Sequence, residues 1–265
     1  MDGPTLVPLP DDPPVTLDPV DPAGWIYWPL LMVQGACWIY TYVCVIQRSL
    51  ADKYLAMPLF ALGLNLSWEL VYGFVLPIPP EQKPINIIWA GVNCFILWMA
   101  YRFGEKDFPG LSRRGFRWML FGSILYFGVF HFTLGWELGD EHGIYGAIGI
   151  NVYMSYAFIA TLRRRGSSAG QSLHIALAKM IGTFAVTLMF YAMFPDRWLL
   201  TLAGFTILGI DLVYTVLLHR QITSEGQSPW AFNRPPVAGP AEARQRSGGP
   251  RAAEEDAGKE AVAHG

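Results

Sequence analysis

Charge is what this chain has least of: only 15% of its 265 residues are Asp, Glu, Lys or Arg, while 52% are hydrophobic and 14% aromatic. An ordinary soluble domain carries about 25% charged residues, so the composition excludes one. Cysteine is nearly as scarce. Cys37, Cys44 and Cys94 are odd in number, lie inside apolar stretches and have no CxxC or His partner at ligand spacing, which leaves neither a disulfide framework nor a zinc site supported. The first 20 residues contain no Lys or Arg, so this Pro- and Asp-rich segment lacks the basic start of a cleavable signal peptide. A net charge of -2, with its basic residues confined to a few loops, does not imply nucleic acid.

What the chain does have is apolar sequence in blocks. At about 20 residues per membrane crossing, these fall near 25–47, 54–76, 85–103, 116–136, 142–162, 172–194 and 198–219. The expected fold is an all-α membrane protein of seven transmembrane helices. Basic residues alternate between the loops in agreement with this count. Arg48 and Lys53 follow the first block, Arg102, Lys106, Arg113, Arg114 and Arg117 the third, Arg163, Arg164 and Arg165 the fifth, and Arg220 the seventh. The second and sixth loops carry only Lys83 and Arg197, and the fourth carries neither. Retention of Lys and Arg on the cytoplasmic side then predicts an N-terminus outside or lumenal and a C-terminus in the cytoplasm. Residues 1–21 read as a flexible tail, 22–220 as the membrane domain, and 221–265, rich in Gly, Pro, Ala, Arg and Glu, as a disordered cytoplasmic tail.

Two carboxylates stand inside these blocks. Even the most lenient insertion scale charges an Asp at mid-membrane roughly 2.5–3.5 kcal/mol, so Glu69 and Asp211 are functional candidates. In the second block, LNLSWELVYGF places Asn65, Trp68, Glu69 and Tyr72 at i, i+3, i+4 and i+7, a stripe expected to line the bundle interior. The alternative role for Glu69 is that of a helix-packing hydrogen-bond partner. In the seventh block Asp211 shares a face with Tyr214 and Thr215. Lys179 in the sixth block lies at a similar depth, so a buried structural ion pair competes with a chemical role for Asp211. Lys179 could instead snorkel toward the headgroups and leave Asp211 free.

Asn93, His131 and Asn151 read as interhelical hydrogen-bond donors. Glu137, Asp140, Glu141 and His142 cluster in the fourth loop, where a solvated acidic turn is the expected reading ahead of a metal site. Trp25, Trp28 and Trp198 suit an interfacial belt. Deeper aromatics, among them Trp68, Tyr72, Tyr126, Phe127, Phe130 and Tyr214, fit either packing or a lining that stabilises a carbocation.

Desolvation disfavours the charged form of a carboxyl group, so an acid in the bundle interior is expected to keep its proton at neutral pH and to be able to donate it. No DDxxD or NDxxD run offers Mg²⁺ ligands for ionising a diphosphate, since Asp11 and Asp12 are followed by two prolines, and no DxDD run occurs.

On these residues the chain resembles the small seven-span membrane terpene cyclases of meroterpenoid and indole-terpenoid biosynthesis, the pyripyropene-type cyclases and their bacterial relatives. The resemblance covers residues 22–220 and rests on the N-x-x-W-E-x-x-Y segment, here Asn65, Trp68, Glu69 and Tyr72, with Asp211 in the last span. It implies that Glu69 and Asp211 are the catalytic acids, and the chemistry of the reaction points to Asn65, Trp68, Tyr72, Tyr214 and Phe130 as substrate- or cation-binding groups. It further implies protonation of the prenyl chain of a prenylated aromatic, at an alkene or terminal epoxide, with cationic ring closure and no metal or redox cofactor. The implied substrate is a prenylated small molecule, with a farnesylated indole or cyclic dipeptide as first choice. The protein would act as a multi-pass membrane enzyme in a bacterial plasma membrane or the endoplasmic reticulum, with the lipid bilayer as its other partner. From another class, a proton-coupled transporter or seven-span receptor shares the topology; a retinal protein is disfavoured, because the last span has no Lys.

Overall fold

The computed structural model describes residues 19–20, 22–76, 82–140 and 143–237, and among these all regular structure is helical. Seven α-helices follow one another: α1 (Gly24–Asp52), α2 (Leu59–Leu70), α3 (Gln82–Phe103), α4 (Arg113–Leu138), α5 (Ile144–Arg165), α6 (Leu173–Met193) and α7 (Trp198–Ser224). Six are long and apolar enough to cross a membrane. The second is shorter. It continues through a π turn at Val71–Val75, and Leu59–Val75 together, at 1.5 Å per residue, reach about 25 Å against a hydrocarbon core of about 30 Å.

The shortening occurs at the start of α2, expected at residue 54. Pro58 occupies the cap position with extended backbone (φ -56°, ψ 135°), and a proline pushes the residue before it out of helical conformation. Residues 53–58 therefore form a turn, with Lys53 itself in the left-handed region at φ 56°.

Six of the helices close into a ring in the order α1, α3, α2, α5, α7, α6, each packed against the next and α6 against α1. The slightest of these contacts is α1 with α3. α4 stands outside the ring, against α2 and more lightly α5. Small residues allow the close approaches. A Cβ on Gly204 of α7 would overlap the Thr187 side chain of α6, so the α6–α7 packing depends on glycine there.

The end of the bundle that carries the basic loops adds buried ion pairs to its apolar packing, in which Leu55, Leu162, Leu173 and Ile222 take part. Arg48 pairs with Asp52 one turn on, and Asp52 also accepts the backbone N–H groups of Gly170 (2.7 Å) and Val237 (2.9 Å). Arg165 donates to both carboxylate oxygens of Asp107 at 2.8 and 2.5 Å and to the carbonyls of Ala169 and Leu55. Arg234 is buried, donating to the Gln171 carbonyl at 2.5 Å and the Ser168 hydroxyl at 3.0 Å, while its own carbonyl accepts from Arg48. Ordered structure thus runs past residue 220, where composition alone sets the start of the disordered tail: α7 extends to Ser224, and residues 225–237 lie across the bundle end. Residues 238–265 are outside the described residues. Of the N-terminal tail only Pro19 and Val20 are described, the Val20 N–H donating to the Met193 carbonyl at 2.8 Å.

Candidate active site

Each intramembrane acid sits where three helices meet, and the two junctions lie in opposite halves of the ring. Glu69 of α2 is 1% exposed. Its carboxylate accepts from Asn93 Nδ2 of α3 at 2.7 Å (Oε1) and 2.9 Å (Oε2), and from Asn65 Nδ2 one turn back at 3.1 Å. The Tyr42 hydroxyl of α1 accepts from the same two amides, at 2.9 Å from Asn65 and 3.2 Å from Asn93. A carboxyl group is thus oriented by two carboxamides, which a phenol holds in turn, with no basic side chain among its hydrogen-bond partners in the described residues. Such a setting suits a group that holds and releases a proton.

Asp211 of α7 is held differently. Lys179 Nζ of α6 lies 3.0 and 2.9 Å from its two oxygens and donates also to the Ser155 hydroxyl of α5 at 2.6 Å. Of the two arrangements open to Lys179, the ion pair is the one observed. The side chain does not snorkel. Tyr214, one turn on from Asp211, is buried with its ring 5.2 Å from that of Phe158 and its hydroxyl donating to Gln171 Oε1 at 3.3 Å. Thr215 returns its hydroxyl to the Asp211 carbonyl at 2.7 Å.

The α2 stripe divides. Asn65 and Glu69 face Tyr42 and Asn93, whereas Trp68 and Tyr72 face the connection between α4 and α5. Successive residues are about 100° apart around a helix, and here that offset turns Trp68 toward Gly143 and Glu69 toward Asn93. Trp68 Nε1 donates to the Gly143 carbonyl at 2.9 Å, and its ring lies 5.1 Å from that of Tyr72, which sits in the π turn. Gly143 is in the left-handed region at φ 69°, and a Cβ there would meet Trp68 Nε1 at 2.5 Å and the Tyr72 ring at 2.8 Å. Both backbone and space call for glycine.

Phe130 stands apart from the other expected binding groups. It is 46% exposed on α4, outside the ring, and its ring contact is with His131 at 5.5 Å, so it lines no interior. Tyr126 is likewise exposed. The fourth loop differs too. Asp140 is fully buried and caps α5, accepting from the N–H groups of Ile144 at 2.7 Å and Gly146 at 3.1 Å, while Glu137 alone of the described acids there is exposed. Glu141 and His142 fall outside the described residues. Asn93 does act between helices, as its span position suggests. Tyr42 and Ser155, which complete the two junctions, carry no signal beyond a polar atom at mid-helix.

A closed ring of apolar helices with a hydrogen-bonded carboxyl group in one half and a carboxylate–ammonium pair in the other defines a multi-pass membrane protein built around buried acids. A sequence profile of the Pyr4-like transmembrane terpene cyclases matches residues 18–221, and the chain belongs to this family. Among its relatives, the terpene cyclase olcD of Penicillium canescens is 31% identical over 214 residues, 75% of this chain and 86% of the relative. The terpene cyclase pyr4 of Aspergillus fumigatus is 25% identical over 219 residues, 78% and 90% of the two chains, and the terpene cyclase dpmpB of Macrophomina phaseolina is 26% identical over 185 residues, 68% and 74%. No solved structure matches the chain.

Proposed function

We propose that this terpene cyclase protonates the prenyl chain of a prenylated aromatic, a farnesylated indole or cyclic dipeptide in the first instance, and carries the resulting cation through ring closure without loss of diphosphate. The observation that supports this most directly is the setting of Glu69: a buried carboxyl group whose partners are two amides, themselves tied to the Tyr42 phenol, with no counter-ion among the described residues. In its protonated form it gives its O–H proton to one carbon of a trisubstituted alkene, whose π electrons form the new C–H bond and leave a tertiary cation. The next double bond supplies the electron pair for a C–C bond, and the last cation loses a proton to regenerate an alkene. The product is an isomer of the substrate. On an epoxide the proton goes to oxygen instead and the C–O bond breaks.

Asp211 takes a different part from Glu69 in this reading. Its carboxyl oxygens are taken up by Lys179, so we assign it not the first proton transfer but the counter-charge to the travelling cation and the acceptance of the released proton. Asn65 holds Glu69; Trp68 and Tyr72 fix the adjoining α4–α5 connection, and we assign Tyr72 and Tyr214 aromatic faces that favour the cation near the two acids. The basic loops would lie in the cytoplasm and the N-terminus outside or in the lumen.

The test is to feed a panel of prenylated indoles and phenols to a host expressing the chain and to look for products of unchanged mass. In heavy water an alkene-initiated product should carry one deuterium at the protonated carbon. Glu69→Gln keeps shape and most hydrogen bonds but not the transferable proton, and turnover should drop about 10²–10⁴-fold at normal membrane abundance. A fully active Glu69→Gln protein would sink the mechanism.

A further inference from the structure

A small cavity is bounded by Trp38 of α1, Ile148 and Asn151 of α5, and Thr183, Val186 and Phe190 of α6. Each of three bounding residues is one turn from a member of a junction. Trp38 precedes Tyr42, its ring 6.0 Å from the tyrosine ring, and Asn151 precedes Ser155, whose hydroxyl returns to the Asn151 carbonyl at 2.9 Å. Thr183 follows Lys179 on α6. All three offsets run away from the basic loops, so the cavity stands one turn beyond both junctions on that side, lined by neighbours of the Glu69 partners and of the Asp211 partners.

Two side-chain atoms of its lining residues are buried without a hydrogen-bond partner, Asn151 Oδ1 and Thr183 Oγ1. The amide orientation of Asn151 is fixed, because Nδ2 donates to the Ala147 carbonyl at 3.0 Å and only the oxygen is left over. Thr183 is 2% exposed. A buried threonine in a helix ordinarily returns its hydroxyl to the carbonyl four residues back, as Thr187 does to Thr183 at 2.9 Å. Thr183 does not. The lining residues thus offer an unpaired acceptor and an unpaired hydroxyl at a niche of ≈ 20 Å³, enough for one water-sized group, which needs roughly 10–15 Å³.

We propose that this niche binds the N–H or O–H group of the substrate's aromatic head, donated to Asn151 Oδ1 with the Thr183 hydroxyl completing the contact. The assignment rests on the proposed cyclase reading and names the group that sets the substrate's register relative to the two acids. An acceptor beside a hydroxyl matches a ligand that brings a hydrogen. The niche takes the N–H or O–H alone; seating the ring requires the Trp38 and Phe190 side chains to shift. Water has the same hydrogen-bonding chemistry, and the experiment separates the two occupants.

Equilibrium binding would be measured for the full-length protein in lipid nanodiscs with two matched probe pairs, 3-farnesylindole with its 1-methyl derivative and a farnesylated phenol with its O-methyl ether. Wild type should bind the free N–H or O–H member of at least one pair about tenfold more tightly, the loss expected for one good hydrogen bond left unmade. Thr183→Val and Asn151→Leu should each bring that ratio toward one, and Thr183→Ser, which keeps the hydroxyl, should preserve it. Wild type that binds both members alike, or binds none of the four, overturns the proposal. So does an unchanged ratio in both variants; if their melting temperatures fall as well, the niche holds a structural water only. A wild-type preference without turnover of any probe leaves this site standing and defeats the cyclisation reading instead, whereas turnover without preference does the reverse.

Discussion

Asn93 reaches both carboxylate oxygens of Glu69 with a single amide nitrogen, at 2.7 and 2.9 Å, from a helix different from the one that carries the acid. The amide also holds an acceptor in reserve, since its Oδ1 is buried and unpaired. A half turn of the amide would present that oxygen to the O–H of a protonated Glu69, so one side chain can serve the acid before and after it gives up its proton.

Asn93→Leu keeps the volume and removes both functions. Hydrogen bonds to a charged group contribute about 1.5–3 kcal/mol, so kcat should fall roughly 10- to 100-fold with KM near the wild-type value. The measurement is turnover per molecule in membranes, normalised to the amount of folded protein. A purely structural Asn93 would show less protein of undiminished turnover, and Asn93 would then not be a positioning residue.

Gly143→Ala tests the close approach of the α4–α5 connection to α2. Left-handed backbone at a non-glycine residue costs about 1–2 kcal/mol before any clash, and here the added carbon meets Trp68 and Tyr72 as well. The variant should lose more thermal stability than Gly166→Ala, whose φ of 59° is similar but whose added carbon meets nothing within 4 Å. Equal losses in the two variants would mean that backbone strain alone matters and that the Trp68 contact is not a constraint.

The helices were legible because apolar blocks and alternating basic loops both report the same physical event, the partition of the chain between lipid and water. The start of α2 was not, because hydropathy does not distinguish an apolar turn from an apolar helix and residues 54–57 are apolar in either state. Glu69 and Asp211 stood out by their cost in hydrocarbon. Their partners did not: periodicity fixes which residues share a face of one helix but not which face of another helix meets them, so Tyr42 and Ser155 emerge only from the packing. Lys179 was legible as a candidate because it lies one loop from Asp211 at matching depth. Asp140 and Arg234 were misread for one common reason. Composition assigns charged residues to solvent, yet each is buried with charge or backbone partners that no local pattern reveals.

The C-terminal segment gives a prediction in which two truncations differ sharply. Removing residues 238–265 leaves every described contact of Asp52, Arg48 and Arg234 in place. Removing residues 226–265 takes away Arg234 and the Val237 N–H, leaving Asp52 with Arg48 and Gly170 alone and the Gln171 carbonyl without its donor. Leaving buried polar groups unpaired costs about 1–3 kcal/mol each, so the longer truncation should melt several degrees lower and the shorter one should match the full chain. A thermal melt in detergent decides it; identical melting temperatures for the two would show that the strap contributes nothing.

The pair formed by Lys179 and Asp211 gives the sharpest division between structure and chemistry. Removing one partner of a buried ion pair strands the other and costs about 3–5 kcal/mol, so Asp211→Asn and Lys179→Met should each reduce the amount of folded protein in the membrane. Removing both charges restores neutrality, and Lys179→Met with Asp211→Asn should recover abundance. Activity is the informative readout in that double variant. If Asp211 serves as the fixed charge and proton acceptor of the cascade, the recovered protein should still turn over at least 10²-fold more slowly than wild type, because Asn can neither balance a cation nor take a proton. Ser155→Ala is the companion test: it removes the third member of the junction but neither charge, and should leave turnover within about tenfold, the weight of one hydrogen bond. A double variant with wild-type turnover would reduce the pair to a packing device and leave Glu69 as the one acid on which the chemistry depends.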